Sequence, residues 1–313
     1  MLWVGAGQIP PGPGVAAPAA ILDRMAPRAE PSRIQRFRAL LRSGPHVIDG
    51  GLATELESRG HDLSDALWSA RVLADEPQEI LAVHRAFAAA GARVLVSASY
   101  QVSREGFVAA GRTAAQADEA LRAGVDLARE AAGTGVLVAA GVGPFGAIRH
   151  DRSEYRGRYG VSRQRLVDFH AERLAVLAGA GPDLIAVETV PDAEEADAIA
   201  EALADHPDLP AWVSFSCRDG ERTCAGQPVE EAAAAALGAP TVLAVGVNCI
   251  APEHIGALLA RLSDATGAHL LAYPNGVGDV RQWTRIERVA LVGGCCGVGP
   301  KAIAEMARRV SLP

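Results

Sequence analysis

From Arg33 onward, short and almost continuously apolar runs alternate with longer amphipathic, alanine-rich stretches. The apolar runs are HVIDGG (46–51), ARVLVSAS (92–99), GVLVAAGVG (135–143), DLIAVETV (183–190), AWVSFSC (211–217), VLAVGVNC (242–249), HLLAYPN (269–275) and ALVGGCC (290–296). Unbroken apolarity over roughly four to eight residues, rather than alternation, marks parallel strands covered on both faces. The intervening stretches, among them PQEILAVHRAFAAA, TAAQADEALRAGVDLAREAA, SRQRLVDFHAERLAVLAGA and PEHIGALLARLSDAT, carry helical spacing. Several open with Pro in the first turn or with a Ser, Thr or Asp cap followed by acidic residues, which suits a helix amino terminus. Eight such units predict an α/β fold of the (β/α)8 TIM-barrel type. A doubly wound open sheet competes, but its Gly-x-Gly-x-x-Gly turn is missing; GVGPFG (141–146) is the nearest imitation and leads into a polar loop. Only residues 276–292 separate Asn275 from Gly293, so the seventh β-α unit is shortened to at most about two helical turns near Val280–Arg288.

Residues 1–32 are rich in Pro, Gly and Ala and have neither a periodic apolar face nor the layout of a signal peptide. They are expected to form a disordered extension ahead of a barrel domain spanning 33–313, with Met25 an alternative start to Met1. The 313 residues are 49% hydrophobic, enough for a large core. Thirty basic against thirty-seven acidic residues give a net charge of -7, which argues against nucleic acid or an anionic membrane surface as a partner. No apolar stretch approaches the roughly 18 residues that span a bilayer, so a soluble, cytoplasmic protein is expected. Five cysteines are too few for a disulfide scaffold, and Cys295 and Cys296 are adjacent; this points to a reducing compartment and to thiol or metal chemistry.

In a barrel the reactive groups gather at the carboxyl ends of the strands. Those ends here carry Asp49-Gly50-Gly51, Ser99-Tyr100-Gln101, Glu188-Thr189, Asn248-Cys249, Tyr273-Pro274-Asn275 and Gly293-Gly294-Cys295-Cys296-Gly297. Cys249, Cys295 and Cys296 can converge, because strands six and eight lie two apart around a closed barrel. Gly293, Gly294 and Gly297 are expected to give the backbone freedom to turn between adjacent ligands. Three thiolates suit Zn(2+), and three protein ligands leave one tetrahedral position for substrate. Small cysteines at strand ends can also be inert packing, but the pair between glycines together with a third favours a metal. Cys217 and Cys224, flanking RDGERT, are set aside as bystanders, and the histidines have no ligand spacing.

The stretches DGGLATELESRGHDLSDALWSARVL (49–73), SASYQVSREGF (97–107), GPFGA (143–147), SEYRGRYG (153–160), ETVPDAEEA (188–196), WVSFSCRDGE (212–221), GVNCIAPEH (246–254), YPN (273–275) and GGCCG (293–297) make the chain resemble the homocysteine S-methyltransferases. That zinc-dependent family includes betaine-homocysteine methyltransferase and the homocysteine domain of cobalamin-dependent methionine synthase. The likeness runs from about Phe37 to Ala304 and is nearest to the branch that uses S-methylmethionine or S-adenosylmethionine. It implies that Cys249, Cys295 and Cys296 are the catalytic zinc ligands and that homocysteine takes the fourth position through sulfur. A small sulfonium donor then methylates the thiolate to give methionine. Asp49 and Glu188 are implied to hold the substrate ammonium group, although Asp49 can also be a helix cap and Glu188 an arginine partner. The substrate carboxylate is expected at the N–H groups of Gly51 and of the helix LATELESRG. Tyr100 is expected to line the metal site and shield its open position, and Asn248 to orient backbone around Cys249. SEYRGRYG offers Tyr155 and Tyr159 as ring faces for a sulfonium. Two departures, GVGD after YPN and Gly297 after the cysteine pair, fall on the pocket rim. The alternatives are a non-catalytic zinc or thiol binder, and a related methyltransferase with another thiol or selenol acceptor.

Overall fold

All eight apolar runs become strands: β1 (His46–Val47), β2 (Val94–Val96), β3 (Leu137–Val142), β4 (Leu184–Val190), β5 (Ala211–Phe215), β6 (Val242–Asn248), β7 (His269–Tyr273) and β8 (Val289–Val292). The structure is a computed structural model that describes residues 1–2 and 30–311. The strands form one parallel sheet in the order β1-β8-β7-β6-β5-β4-β3-β2. The sheet curls back on itself where Ile48 bridges Val94, with Arg93 N–H donating to Val47 O at 2.7 Å and Asp49 N–H to Val94 O at 3.2 Å. A parallel barrel with helices between its strands is the predicted (β/α)8 architecture. The ladders stop short of the apolar runs because DGG, Cys249 and GGCC leave the sheet to build the rim.

The helices are α1 (Arg33–Arg42), α2 (Leu52–Ser58), α3 (Ser69–Asp75), α4 (Pro77–Ala89), α5 (Arg104–Ala109), α6 (Ala114–Ala131), α7 (Arg163–Gly179), α8 (Ala193–Leu203), α9 (Val229–Ala236), α10 (Ile255–Ala265), α11 (Val280–Trp283) and α12 (Pro300–Ser311). Their starts follow local chemistry: Thr113 and Gln116 close a capping box on α6, and the Ser162 and Asp192 side chains cap α7 and α8. The seventh unit is short, as expected, and α11 is a single turn. The Asp279 carboxylate accepts the Gln282 N–H at 3.2 Å to start it, and the buried Trp283 closes it so tightly against Gly278 that a Cβ there would fall 2.3 Å from the ring.

Inside the barrel, large Trp212 and Tyr273 alternate with small Ala139, Ala186 and Ala244, all buried. This fills the lumen as a packed core rather than a pore. At its base, α1 contributes Phe37, whose ring centroid lies 6.3 Å from that of Trp212. Asp183 anchors the same end through Arg36 at 2.9 Å and Arg129 at 2.6 Å. Most of the extension expected over residues 1–32, including Met25, lies outside the described residues. Among the described residues no helix is long and apolar enough to cross a membrane.

Candidate metal and substrate site

The carboxyl ends of β6 and β8 bring three sulfurs together. Cys249, Cys295 and Cys296 each offer Sγ within 4.8 Å of the others, and Cys249 and Cys296 are 3.8 Å apart. Among the described residues this is the only such cluster of metal-ligating groups. Neighbouring backbone fixes the cysteine pair: Cys295 N–H donates to Pro274 O at 2.8 Å, Cys296 N–H to Asn275 Oδ1 at 3.2 Å, and Gly276 N–H to Cys296 O at 3.0 Å. The YPN stretch at the end of β7 is thus the cradle of the cysteine turn. Cys249 itself sits at φ +53°, a left-handed conformation uncommon for a residue with a Cβ, and its N–H donates to Tyr273 O at 3.2 Å. Hydrogen bonds from Cys249 and Cys295 hold the Cys296 thiol well below the ordinary thiol range, whereas Cys295 is pushed up by its bonds to Cys249 and Cys296 and by burial. One sulfur of the trio is therefore predisposed to be thiolate, the form that binds metal.

The thiols lie in a cavity of about 130 Å³ lined also by Glu188, Glu154, Tyr100, Tyr155 and Trp68. Burial pushes the Glu188 carboxyl up to about 7 against an opposing hydrogen bond from Tyr273. Asp49 is not on the cavity wall. Its Oδ2 accepts the Val96 N–H at 2.7 Å, stitching β1 to β2 at the barrel seam, while burial, with the Glu188 charge adding to it, raises its carboxyl. Asn248 does lie on the wall. Its amide accepts the Thr189 N–H and donates to Thr189 Oγ1, both at 2.8 Å, and accepts Ser214 Oγ at 2.8 Å. This grip holds Thr189 at φ +64°, an outlier for a β-branched residue, where the ladder to β5 shifts register between Val187 and Val190.

A strap of irregular chain, Phe145 to Gly160, crosses the cavity mouth. Glu195 of α8, fully buried, holds both of its ends: it accepts Phe145 N–H at 2.5 Å and Tyr159 Oη at 2.8 Å, with His170 Nε2 at 3.0 Å. Asp192 adds the Arg158 N–H at 2.9 Å. So held, the strap lowers Tyr155 until its hydroxyl lies 3.1 Å from Cys249 Sγ.

A model of the homocysteine S-methyltransferase family matches residues 46–310. The chain belongs to that family. It is 43% identical over 306 residues to homocysteine S-methyltransferase 4 of Zea mays, covering 85% of this chain and 90% of that one. To the homocysteine S-methyltransferase of Escherichia coli K12 it is 39% identical over 293 residues, covering 84% and 94%. The metallated crystal structure of the Escherichia coli homocysteine methyltransferase MmuM superposes with a TM-score of 0.83 at 41% identity, over 88% of this chain and 99% of that one.

Seen as a homocysteine S-methyltransferase, the chain revises several expectations drawn from its sequence. The Gly51 N–H does not point to a free carboxylate site: it donates to Val298 O at 3.0 Å. Gly51 is required for space instead, since a Cβ would fall 2.4 Å from Cys295 O. Likewise Gly293 and Gly294 serve close packing against Ile48 and Val298, and only Gly297, at φ +77°, uses the left-handed freedom of glycine. Tyr100 lines the cavity with the three cysteines, but it is the Tyr155 hydroxyl that lies within hydrogen-bond distance of a thiol. Tyr159 turns away to Glu195. Trp68 and Glu154 line the cavity without having been singled out from the sequence; Trp68, at φ +50°, had no signal in its neighbours that composition or spacing could reveal.

Proposed function

We propose that this enzyme moves a methyl group from a sulfonium donor, S-methylmethionine or S-adenosylmethionine, to the sulfur of homocysteine, with Zn(2+) held by Cys249, Cys295 and Cys296. The observation that carries the reading is the convergence of three thiols on a cavity that also displays Glu188. The donor set fits the metal: three soft thiols from two strand ends suit zinc and leave room for one more ligand. Bound there, zinc would supply the charge that keeps the substrate thiol deprotonated at neutral pH.

The chain's own residues do the rest. Glu188 receives the homocysteine ammonium group, while Asp49, off the cavity wall, ties β1 to β2 through the Val96 N–H. Asn248 and Thr189 keep Glu188 and Cys249 at fixed positions across the cavity. Tyr155 covers the thiols and limits water at the mouth. In the transfer a sulfur–carbon bond forms to homocysteine while the sulfonium carbon–sulfur bond breaks, its electron pair leaving on a neutral thioether. No proton moves, so the step needs alignment and not an acid or base. The lining accordingly holds no His, Lys or Arg among the described residues. A reducing cytoplasm suits the five free cysteines.

The test is a panel of S-methylmethionine, S-adenosylmethionine, betaine and methylfolate with homocysteine, read as methionine formed, alongside metal analysis. A sulfonium is expected to react. Exclusive use of betaine would overturn the donor assignment, and absence of both bound zinc and methionine formation would overturn the function.

A further inference from the structure

The cavity has a carboxylate that the acceptor does not use. Glu154 sits on the strap beside Tyr155 and lines the cavity wall. Its carboxylate takes a bond from its own backbone N–H, yet Oε2 is shielded from solvent and has no partner. A buried, unpaired carboxylate oxygen is costly unless a ligand completes it. The Glu154 backbone is tightly packed: Gly146 passes so close that a Cβ would lie 2.5 Å from Glu154 N, and Ser216 Oγ donates to Glu154 O at 3.4 Å. Arg152 and His150 on the same strap are exposed and form no ion pair with it among the described residues. Glu154, Glu188 and Tyr100 all line the same cavity.

Charge counting gives these carboxylates separate tasks. Homocysteine brings one ammonium group, which Glu188 accommodates. A sulfonium amino acid brings a second and a third positive centre, and among the described lining residues Glu154 is the remaining acid. We propose that Glu154 is the specificity-determining carboxylate for the methyl donor, its side chain on the cavity wall receiving the donor's positive charge at the strap side of the cavity. This rests on the sulfonium reading given above. It predicts preference for cationic donors over net-neutral betaine and anionic methylfolate.

The experiment is steady-state kinetics on the zinc-loaded enzyme and on Glu154→Gln and Glu154→Asp, with S-methylmethionine and homocysteine varied in turn. Glu154→Gln keeps the shape and removes the charge. Its donor KM is expected to rise about tenfold, the worth of one charge-assisted contact, with homocysteine KM and bound zinc within about twofold of wild type. Glu154→Asp, which keeps the charge, should recover part of the loss. A rise confined to homocysteine KM, an equal rise in both, or no change would overturn the assignment. Wild-type turnover from a sulfonium tests the underlying function separately: its absence with both S-methylmethionine and S-adenosylmethionine overturns both, whereas turnover with an unaltered split overturns Glu154 alone.

Discussion

The side-chain amide of Asn248 grips Thr189 twice, accepting its backbone N–H and donating to its hydroxyl, each at 2.8 Å. Asn248 precedes Cys249 and Thr189 follows Glu188, so one amide couples a proposed metal ligand to the cavity carboxylate. Asn248→Ala would leave the buried Thr189 N–H without its acceptor, remove a bond from the Thr189 hydroxyl and release the strained Thr189, while Ser214 Oγ keeps Val187 O and Tyr273. A loss of about 2–3 kcal/mol is expected, with homocysteine KM rising more than the melting shift alone explains. Denaturant unfolding and kinetics on the same preparation check both.

Cys295→Ala should abolish stoichiometric metal while the barrel stays folded, because the metal serves chemistry rather than the core. Turnover should fall by more than about a hundredfold. Metal analysis and circular dichroism read the two halves of this expectation; an unfolded variant would contradict it.

Gly51→Ala tests the same centre without removing a ligand. The new methyl would meet Cys295 O, a backbone atom, at 2.4 Å. The cysteine turn must shift, costing about 1–3 kcal/mol and weakening the metal. A chelator competition against wild type measures the weakening.

The eight strands were legible because strands buried on both faces must be apolar throughout, and the short seventh unit because seventeen residues cannot hold more. The cysteine trio was legible because a barrel presents its strand ends to one another. Tyr155 was not: its contact with Cys249 joins positions 94 apart, made possible by Glu195 closing the strap from α8. Gly51 misled because the residue type fits both an anion cradle and a crowded crossing, and only the position of Val298 O distinguishes them.

Glu188 and His84 predict opposite pH dependences. Burial raises Glu188 from its ordinary 4.5 to about 7. The folded state therefore holds that proton more tightly, and the unliganded protein loses this contribution as pH rises from about 4.5 to 7. The homocysteine ammonium favours the ionised carboxylate, so binding should tighten over the same window. Glu188→Gln should flatten the stability slope and weaken homocysteine binding roughly tenfold or more, read by calorimetry across pH.

His84, on α4, is fully buried with neither ring nitrogen partnered, and burial lowers it to about 4. The unfolded chain takes up that proton first, so stability is lost as pH falls from about 6.5 to 4, by roughly 3 kcal/mol. His84→Leu should remove this acid slope and stabilise the protein at pH 7 by about 1–3 kcal/mol. Denaturant midpoints at pH 5 and 7.5 decide the matter.

The plug of Phe37 beneath Trp212 has a kinetic corollary. With the lumen filled below, traffic through the site has a single doorway, over which the strap lies. The molecule seated deepest enters first and departs last. Turnover should accordingly follow an ordered sequence, acceptor before donor, read by initial-rate patterns with both substrates varied.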